Sequence, residues 1–591
     1  MAGILGSAKW STSAGYFREY AQSGRGFFLG HPIRIDNFHP ITENFVYFPA
    51  DGHFLAVAQT GSGKGTSLII NNLLCYRGNA LVVDPKGEAW ITAPRRRALG
   101  QNVHIVDPWD EVNSAYGSRV GVREKTSRFN PLSVLKPGTP DYVDQLAYLA
   151  EALIVTQGTK DPFWDDTARE LVAGLMAYVV EKPETKAKAS LGLVRSLLME
   201  PANVISAIIE MASEFPAGSM AARKLGQFDN PEQAKQLASI IQSARTQTSF
   251  LDSPILNDSM DSTDFSFDDL RDGGPPTTVY LVLPVKYLDT HARWLRLMIS
   301  IAIGAVQEGR LETPARPTAG GEESFIGAST LPTLAPPKSI DEWIKSVQPK
   351  GSAPIVPDVV VRQPGLIDRI KSRFRRSKHR PPPLKELPPA GVPSGGGGAA
   401  PKAPAGQEAR LPVLFLLDEF GTIGKLSCIE RAFGLLRGRG VCVFAFLQDL
   451  NQLKRDYGEA WQSFIGNSTA VISFGSMDDF TCEYISKMTG TKTVEYSTTT
   501  RTSSTSMKPR PPNVGDLILR NTNFEEPAGT SVSETTQQHV VAQPLLMADG
   551  VRRLHKDLCL VISRDKVALC ARVKYFVDPI FSQWARRDPT H

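Results

Sequence analysis

The 591-residue sequence has little cysteine, little net charge and no long apolar run. Its six cysteines form no Cys-x-x-Cys pair and have no nearby histidine at zinc spacing, which favours buried thiols in a reducing compartment over disulfides or a zinc module. The 66 Lys and Arg residues exceed the 61 Asp and Glu residues by only five, so the total charge does not indicate nucleic-acid binding. Only the positions of the charges along the chain can indicate nucleic-acid binding.

No export signal or membrane span is recognisable. The first twenty residues, MAGILGSAKWSTSAGYFREY, lack the charged, apolar and small-residue regions of a signal peptide. The most apolar run, at 297–306, is far shorter than the roughly 20 residues that a membrane helix needs. We therefore expect no export and no transmembrane segment.

Short runs of β-branched and apolar residues recur along the chain, each bounded by turn or cap residues. Their continuous apolarity is typical of strands that are covered on both faces, and helical stretches lie between several of them. The pattern predicts an α/β fold with a mostly parallel sheet. The runs are HFLAVA (53–58), ALVVD (80–84), VHIVD (103–107), TVYLVLP (278–284), VLFLLDE (413–419), VCVFAFLQ (441–448) and AVISFG (470–475).

The segment HFLAVAQTGSGKGTSLIINNLL (53–74) predicts a phosphate-binding loop between a strand and a helix. Its glycines let successive backbone amides converge on a phosphate, and Lys64 can reach the β- and γ-phosphates of ATP. Gly65 stands where such loops usually carry the hydroxyl that contacts Mg²⁺, so whether Thr66 or another hydroxyl takes that role stays open. The predicted nucleotide-binding residues are Thr60, Gly61, Ser62, Gly63, Lys64, Gly65 and Thr66.

A second apolar run ends in a pair of carboxylates. Asp418 is the candidate ligand of Mg²⁺, and Glu419 is the candidate base that polarises the attacking water. The next strand ends at Gln448, which is placed to sense the γ-phosphate. The stretch between them contains Arg431, Arg437 and Arg439, any of which is a candidate arginine finger for a neighbouring subunit.

Changes of periodicity divide the chain into five segments. Residues 1–132 form the first part of the nucleotide-binding domain, and 133–268 repeat apolar residues at three and four, which predicts an inserted all-α domain. Residues 269–312 return to the nucleotide-binding domain, and the Pro- and Gly-rich residues 313–410 predict a flexible insertion. Residues 411–591 complete the nucleotide-binding domain.

Two polar stretches are open to more than one interpretation. Residues 366–380 place apolar side chains on one helical face among seven basic residues, so they either contact an anionic membrane or phosphate, or form a solvated charged run. Residues 496–508, YSTTTRTSSTSMK, predict a flexible surface loop.

Together these segments resemble the type IV secretion coupling proteins, which are TraG/TraD-type conjugal transfer ATPases related to the FtsK and HerA motors. Further shared segments are LVVDPKGEAW (81–90), FWDDTARELVAGLMAYV (163–179), LLDEFGTIGKL (416–426) and LQDLNQLKRDYGEAWQSFIGN (447–467). The resemblance implies a RecA-like P-loop NTPase core with an inserted all-α domain, bound ATP and Mg²⁺, and a homo-hexamer that is monomeric when isolated.

The resemblance also implies roles for particular residues. Lys64, Glu419, Gln448 and Arg437 are expected to be catalytic, and Asp418 with Thr66 to hold Mg²⁺. Arg437 is preferred among the three arginines because it lies nineteen residues after Asp418, which is the spacing of the trans-acting arginine in such motors.

The implied function is to recruit and translocate substrates to a type IV secretion channel. Those substrates are single-stranded DNA with a bound relaxase, or effector proteins, and adaptor proteins are further expected partners. Family members typically begin with two membrane helices, so we expect either a membrane-free member or a truncated form, in the cytoplasm or at the cytoplasmic face of the bacterial inner membrane. Two alternatives stay open: a substrate receptor in which ATP drives assembly, and a cytosolic DNA-pumping ATPase.

Overall fold

The computed structural model describes most of the chain, and its two longest gaps, 309–358 and 361–410, fall largely in the predicted flexible insertion. The second gap includes the basic segment 366–380, which therefore lies outside the described residues. The described residues are 7–10, 26–33, 46–49, 52–155, 163–199, 204–229, 234–271, 274–308, 359–360, 411–512, 525–564 and 566–589.

A large mixed sheet forms the centre of the fold. Its eleven strands lie in the order β2-β1-β14-β13-β10-β3-β9-β8-β4-β6-β5. The seven strands from β10 to β5 are parallel, and the four strands at the other edge are antiparallel. The strands are β1 Gly26–Pro32, β2 Val46–Pro49, β3 His53–Val57, β4 Ala80–Asp84, β5 Asn102–Val106, β6 Thr277–Val282, β7 Val359–Val360, β8 Val413–Leu417, β9 Val441–Leu447, β10 Ser468–Ser473, β11 Thr491–Pro509, β12 Glu525–Pro544, β13 Leu558–Ser563 and β14 Val567–Ala571.

Both faces of the parallel region are buried, as the apolar runs predict. Successive side chains of a strand point to opposite faces, so Leu55 and Val57 of β3 belong to one core while Phe54 and Ala56 belong to the other. Every residue of β3, β4, β6, β8 and β9 is buried. The predicted α/β class with a mostly parallel sheet is confirmed.

Helices cover the two faces and connect the strands. The α-helices are Ile70–Cys75, Ala89–Ala98, Ser118–Val120, Tyr142–Leu153, Phe163–Glu181, Pro183–Lys186, Leu191–Met199, Val204–Ser213, Met220–Gly226, Ala234–Gln247, Pro254–Ser259, Leu288–Glu308, Ser427–Leu435, Leu450–Tyr457, Trp461–Asn467, Asp479–Met488, Ala548–Arg552 and Phe581–Trp584.

The connection from β5 to β6 is helical. Its helices run from Tyr142–Leu153 to Pro254–Ser259, and their apolar side chains join those of one sheet face in a single core. Phe163–Glu181 is the longest of these helices and is buried along most of its length. The helices therefore share one apolar core with a face of the sheet, and the boundaries 133–268 stay a prediction.

The prediction of a flexible loop at 496–508 is wrong. These residues lie in β11, which pairs with β12 in a long antiparallel ribbon from Thr491 opposite Pro544 to Pro509 opposite Glu525. The short strand β7 pairs with β11 at Ser497 and Thr498. Polarity suggested a loop, but threonine is β-branched and favours strands, and β12 supplies partners for the backbone.

The structure bears on the expectations for membrane spans and for cysteines. No helix within the described ranges is long and apolar enough to span a membrane. The six cysteines are all free; five are buried and Cys75 is half-buried. Cys559 lies directly opposite Cys570 in the β13–β14 pair, so these two thiols are neighbours.

Candidate functional site

The candidate site lies where parallel strands β3, β9 and β8 end side by side. The loop after β3 turns through two glycines with positive φ, Gly61 at 77° and Gly63 at 86°, and these angles favour glycine over other residues. A π-helical turn, Gly65–Ile69, then leads into the helix Ile70–Cys75. The chain thus presents a glycine-rich strand-to-helix turn at the carboxyl edge of the sheet, as the motif predicts.

Lys64 contacts two carboxylates at the carboxyl ends of the parallel strands. Its Nζ lies 2.8 Å from Oδ1 of Asp418 and 2.6 Å from Oε1 of Glu419, and only 3% of the Lys64 side chain is exposed. Burial alone opposes the charged ammonium, but the two carboxylates outweigh it and raise the pKa of Lys64 above its ordinary value. Lys64 therefore stays protonated in the buried site.

Both carboxylate oxygens of Glu419 accept hydrogen bonds. Oε1 accepts from Lys64, and Oε2 accepts from Nε2 of Gln448 at 3.0 Å. Burial would raise the pKa of Glu419, but Lys64 and then Gln448 stabilise the carboxylate and the pKa is lowered overall. Its backbone has φ of 55°, a left-handed conformation that non-glycine residues rarely adopt and that occurs at functional sites.

Two hydroxyls make hydrogen bonds within the loop itself, that of the predicted residue Thr66 and that of Ser67, which was not predicted. The Thr66 hydroxyl donates to the carbonyl of Gly63 at 3.2 Å, and the Ser67 hydroxyl donates to the same carbonyl at 2.7 Å. Thr60 and Gly61 are exposed, and Ser62 is half-buried. The structure therefore brings the predicted loop residues together with Asp418, Glu419 and Gln448.

A fourth strand contributes residues to which the sequence assigned no role. β4 ends in Asp84, and the turn after it carries Lys86 and Glu88. Nζ of Lys86 is 3.9 Å from Oδ2 of Asp418. Burial, together with the nearby carboxylates of Asp84 and Asp418, raises the pKa of Glu88 to about 8 against the opposing effect of Lys86. The Asp-Pro-x-x-Glu sequence at the end of a buried strand was the feature from which a role for these residues could have been predicted.

Arg572, which follows β14, also reaches the glycine-rich loop. Its Nη1 donates to the carbonyl of Ser62, and its guanidinium carbon lies 4.5 Å from the centre of the Phe474 ring. Burial lowers the pKa of Arg572. The sequence gives no signal for this contact because 510 positions separate the two residues.

Arg437 lies at the amino end of the parallel strands, opposite the end that carries the Lys64 cluster. It belongs to a short turn, Arg437–Arg439, just before β9, whereas Gln448 follows the other end of that strand. A seven-residue strand spans about 23 Å, so Arg437 is remote from the Lys64 cluster of its own chain. Its charge acts on His53: burial first and Arg437 second lower the pKa of His53 to about 4.

Two family models match the chain. The model for type IV secretory system conjugative DNA transfer matches residues 22–318, and the model for the TraM recognition site of TraD and TraG matches residues 412–556. The chain belongs to the type IV secretory system conjugative DNA transfer family. The predicted resemblance to TraG/TraD-type coupling proteins is thereby confirmed.

Named relatives in this family show the same distant similarity. The chain is 22% identical to the conjugal transfer protein TraG of Escherichia coli over 456 residues, 75% of this chain and 55% of that one. It is 23% identical to the protein VirD4 of Rhizobium rhizogenes over 512 residues, 84% of this chain and 57% of that one. The chain thus spans little more than half the length of these relatives.

Solved structures of the plasmid coupling protein TrwB share the fold. The complex of TrwB with ADP and Mg²⁺ matches with a TM-score of 0.54 and 12% identity over 97% of this chain and 95% of that chain. The complex of TrwB with a non-hydrolysable ATP analogue matches with a TM-score of 0.53 and 13% identity, over 97% of this chain and 94% of the other. The predicted RecA-like P-loop NTPase fold is confirmed.

Proposed function

We propose that this chain is an ATP-hydrolysing coupling protein that recruits and translocates substrates to a type IV secretion channel. The observation that carries the proposal is the cluster of Lys64, Asp418, Glu419 and Gln448 beside a glycine-rich loop. These side chains come from three different strand ends, and each has the chemistry that phosphate transfer to water requires.

The residues fit a nucleotide with its cation. A side-chain carbon built on Gly61 would meet no atom within 4 Å, so there is room beside the loop backbone for a phosphate. The hydroxyl oxygen of Ser62 is buried and makes no hydrogen bond with the described residues, which leaves it available to a ligand. Asp418 offers the carboxylate that Mg²⁺ sites on phosphate substrates use.

Each residue then has one task. Lys64 and the loop amides bind the phosphates, and Lys64 must share its ammonium between them and the carboxylates. Glu419 accepts the proton of the attacking water, and Gln448 holds Glu419 in its orientation. Asp418, with Thr66 as a further candidate, would hold Mg²⁺, which when bound neutralises charge on the phosphate oxygens.

The remote position of Arg437 supports a role between subunits. Arg437 is exposed at the amino end of β9, far from the nucleotide site of its own chain, so in a ring of identical chains it can face a neighbour's nucleotide. We propose that it is the arginine finger of a homo-hexamer, preferred over Arg431 and Arg439 by its spacing from Asp418. Hydrolysis would then depend on assembly, with monomers weakly active.

Substrates and location follow from the family. We propose single-stranded DNA with a bound relaxase, or effector proteins, as cargo, with channel components and adaptor proteins as partners. The proposed place of action is the cytoplasmic face of the inner membrane. A receptor that uses ATP only for assembly would instead support transfer without hydrolysis. A DNA pump unconnected to secretion would show chromosome-directed translocation.

The experiment is ATP hydrolysis by the purified chain, measured with single-stranded DNA, with duplex DNA and without DNA. Lys64→Ala should abolish hydrolysis, while Lys425→Ala, which changes an exposed lysine outside the proposed machinery, should not. Stimulation by single-stranded DNA would support DNA as cargo. Unchanged turnover in Lys64→Ala would contradict the proposed site.

A further inference from the structure

Gly65 and Glu88 meet at the position where a P-loop usually carries its metal-binding hydroxyl. A side-chain carbon built on Gly65 would lie 2.6 Å from Oε1 and 3.2 Å from Oε2 of Glu88. The first distance is shorter than real side-chain carbons essentially ever show, and the second is tighter than nine in ten real contacts. The carboxylate of Glu88 thus occupies the space that a serine or threonine side chain at position 65 would need.

Backbone contacts fix Glu88 in this place. Oδ1 of Asp84 accepts from the backbone N–H of Lys86 at 3.2 Å and from that of Glu88 at 2.9 Å, and Oδ2 accepts from Ala89 at 2.7 Å. Gly87 has φ of 71°, and a side chain there would contact the backbone of Val112. The turn between β4 and the helix Ala89–Ala98 is therefore tightly determined, and Glu88 at its end is directed by that turn.

Two further carboxylates lie near Glu88. Asp84 accepts from the backbone N–H of Glu88 at 2.9 Å, and Asp418 lies 3.9 Å from Nζ of Lys86, two positions before Glu88. Within the described residues, no group of three or more His, Cys, Asp or Glu side chains could hold a metal ion alone. Mg²⁺ is commonly held by one or two carboxylates together with substrate phosphates, so such a cation would need the nucleotide.

We propose that Glu88 supplies, directly or through a water, the oxygen ligand for the nucleotide's divalent cation that Gly65 cannot supply. This inference rests on the proposed nucleotide site and names a residue for its cation. In this chain the turn after β4, and not the P-loop helix, would supply the metal-binding oxygen. Thr66, whose hydroxyl already donates to Gly63, would then not be needed for that purpose.

The test measures cation dependence of nucleotide binding rather than hydrolysis. Binding of fluorescent mant-ADP to the full chain is followed while Mg²⁺ is titrated, and again in EDTA. Glu88→Gln, which keeps the shape and replaces the carboxyl group by an amide that binds cations more weakly, should raise the Mg²⁺ concentration at half-maximal enhancement by roughly tenfold or more. Its mant-ADP affinity in EDTA should remain that of the parent chain.

The chain contains a matched control. Glu111 follows β5 in a second Asp-Pro-x-x-Glu sequence, Asp107 to Glu111, in which Asp107 again accepts from the backbone of the residue four positions later. β5 lies two strands away from β4 in the sheet. Glu111→Gln should therefore leave the Mg²⁺ dependence unchanged, which separates the effect of position from that of removing a carboxylate.

A reciprocal exchange makes the test independent of one variant. Gly65→Ser alone forces the Glu88 carboxylate to move and should weaken Mg²⁺ enhancement, as should Glu88→Ala alone. The double variant Gly65→Ser with Glu88→Ala removes the clash and restores a hydroxyl at the usual place, so it should recover Mg²⁺ enhancement relative to Glu88→Ala. Thermal unfolding of each variant shows whether it is folded.

Other results overturn the inference. An unchanged Mg²⁺ midpoint in Glu88→Gln shows that Glu88 does not serve the cation. An equal loss of affinity in EDTA and in Mg²⁺ shows that Glu88 only shapes the loop. If Glu88→Gln does not fold, failure of the double variant to regain Mg²⁺ enhancement overturns the inference. If the parent chain itself binds no mant-ADP, the proposed nucleotide site fails, and the inference fails with it.

Discussion

Gln448 donates a hydrogen bond from Nε2 to Oε2 of Glu419 at 3.0 Å, while the other oxygen of that carboxylate accepts from Lys64. The two residues end neighbouring parallel strands, β9 and β8, so the sheet itself sets their separation. In the proposed mechanism this contact positions the base. It connects the strand ends that surround the glycine-rich loop.

Replacing Gln448 should therefore reduce turnover more than binding. In Gln448→Ala, Glu419 loses one of its two partners and its orientation, and we expect kcat to fall roughly 10- to 100-fold. The affinity for mant-ADP should change little because Lys64 and the loop are retained. Steady-state hydrolysis and mant-ADP titration check the two expectations. A large loss of affinity with kcat unchanged would contradict the positioning role.

Arg572 should contribute to nucleotide affinity through the loop. Arg572→Ala removes a charge-assisted hydrogen bond to the Ser62 carbonyl, and such bonds are worth about 1.5–3 kcal/mol, so we expect roughly tenfold weaker mant-ADP binding or more. Arg553→Ala, which changes an arginine on the helix turn at the protein surface, is the comparison. Equal affinities of the two variants would show that the Arg572 contact does not support the loop.

The proposed role of Arg437 between subunits predicts complementation. Arg437→Ala chains keep their own Lys64 cluster, and Lys64→Ala chains keep their Arg437, so mixing two inactive preparations should restore measurable ATP hydrolysis. Arg439→Ala should remain active alone. A mixture that stays as inactive as its components, although both chains co-assemble by light scattering, would exclude Arg437 as a trans-acting residue.

His53 should make folding weaker in acid. Its pKa is lowered by burial and then by Arg437 to about 4, below the ordinary value of about 6.5, and its Nδ1 accepts from the Val443 amide. The unfolded chain binds this proton first, so stability falls as pH drops through 6.5 and levels off below 4, by a total on the order of 3 kcal/mol. Denaturant unfolding of the parent and of His53→Gln between pH 7 and 4 should show a smaller decline in the variant.

The β11–β12 ribbon should be dispensable for folding. Most of its residues are exposed beyond its base, so it buries little apolar surface. Replacing residues 499–536 by an Asn-Gly turn, which joins the opposed residues Thr498 and Gln537, should leave the thermal unfolding midpoint within a few degrees of the parent value. A large decrease would show that the ribbon stabilises the sheet domain.

The sequence was sufficient to predict the site where a buried strand is followed directly by a chemical motif. The apolar runs predict β3, β8 and β9 in a parallel sheet, and parallel strands bring their carboxyl ends together, so the sequence alone groups Lys64, Asp418, Glu419 and Gln448. The helical periodicity between β5 and β6 was equally informative. In each case a local pattern determines a long-range arrangement.

Other contacts depend on tertiary packing that no local pattern encodes. The meeting of Glu88 with Gly65 depends on the turn after β4, and the contact of Arg572 with Ser62 joins distant parts of the chain. The ribbon was missed because its strands carry few apolar residues, and their pairing partners, not their own composition, make them strands.

The most direct test of the account is Mg²⁺-dependent ATP hydrolysis by Glu419→Gln, measured beside mant-ADP binding. The exchange preserves the shape of the side chain and leaves one amide oxygen to accept from Lys64 or Gln448, but it removes the base, so we predict a loss of turnover of about 100-fold or more with nucleotide binding retained. Hydrolysis at the parent rate in Glu419→Gln, with binding intact, would contradict the proposed site and the function built on it.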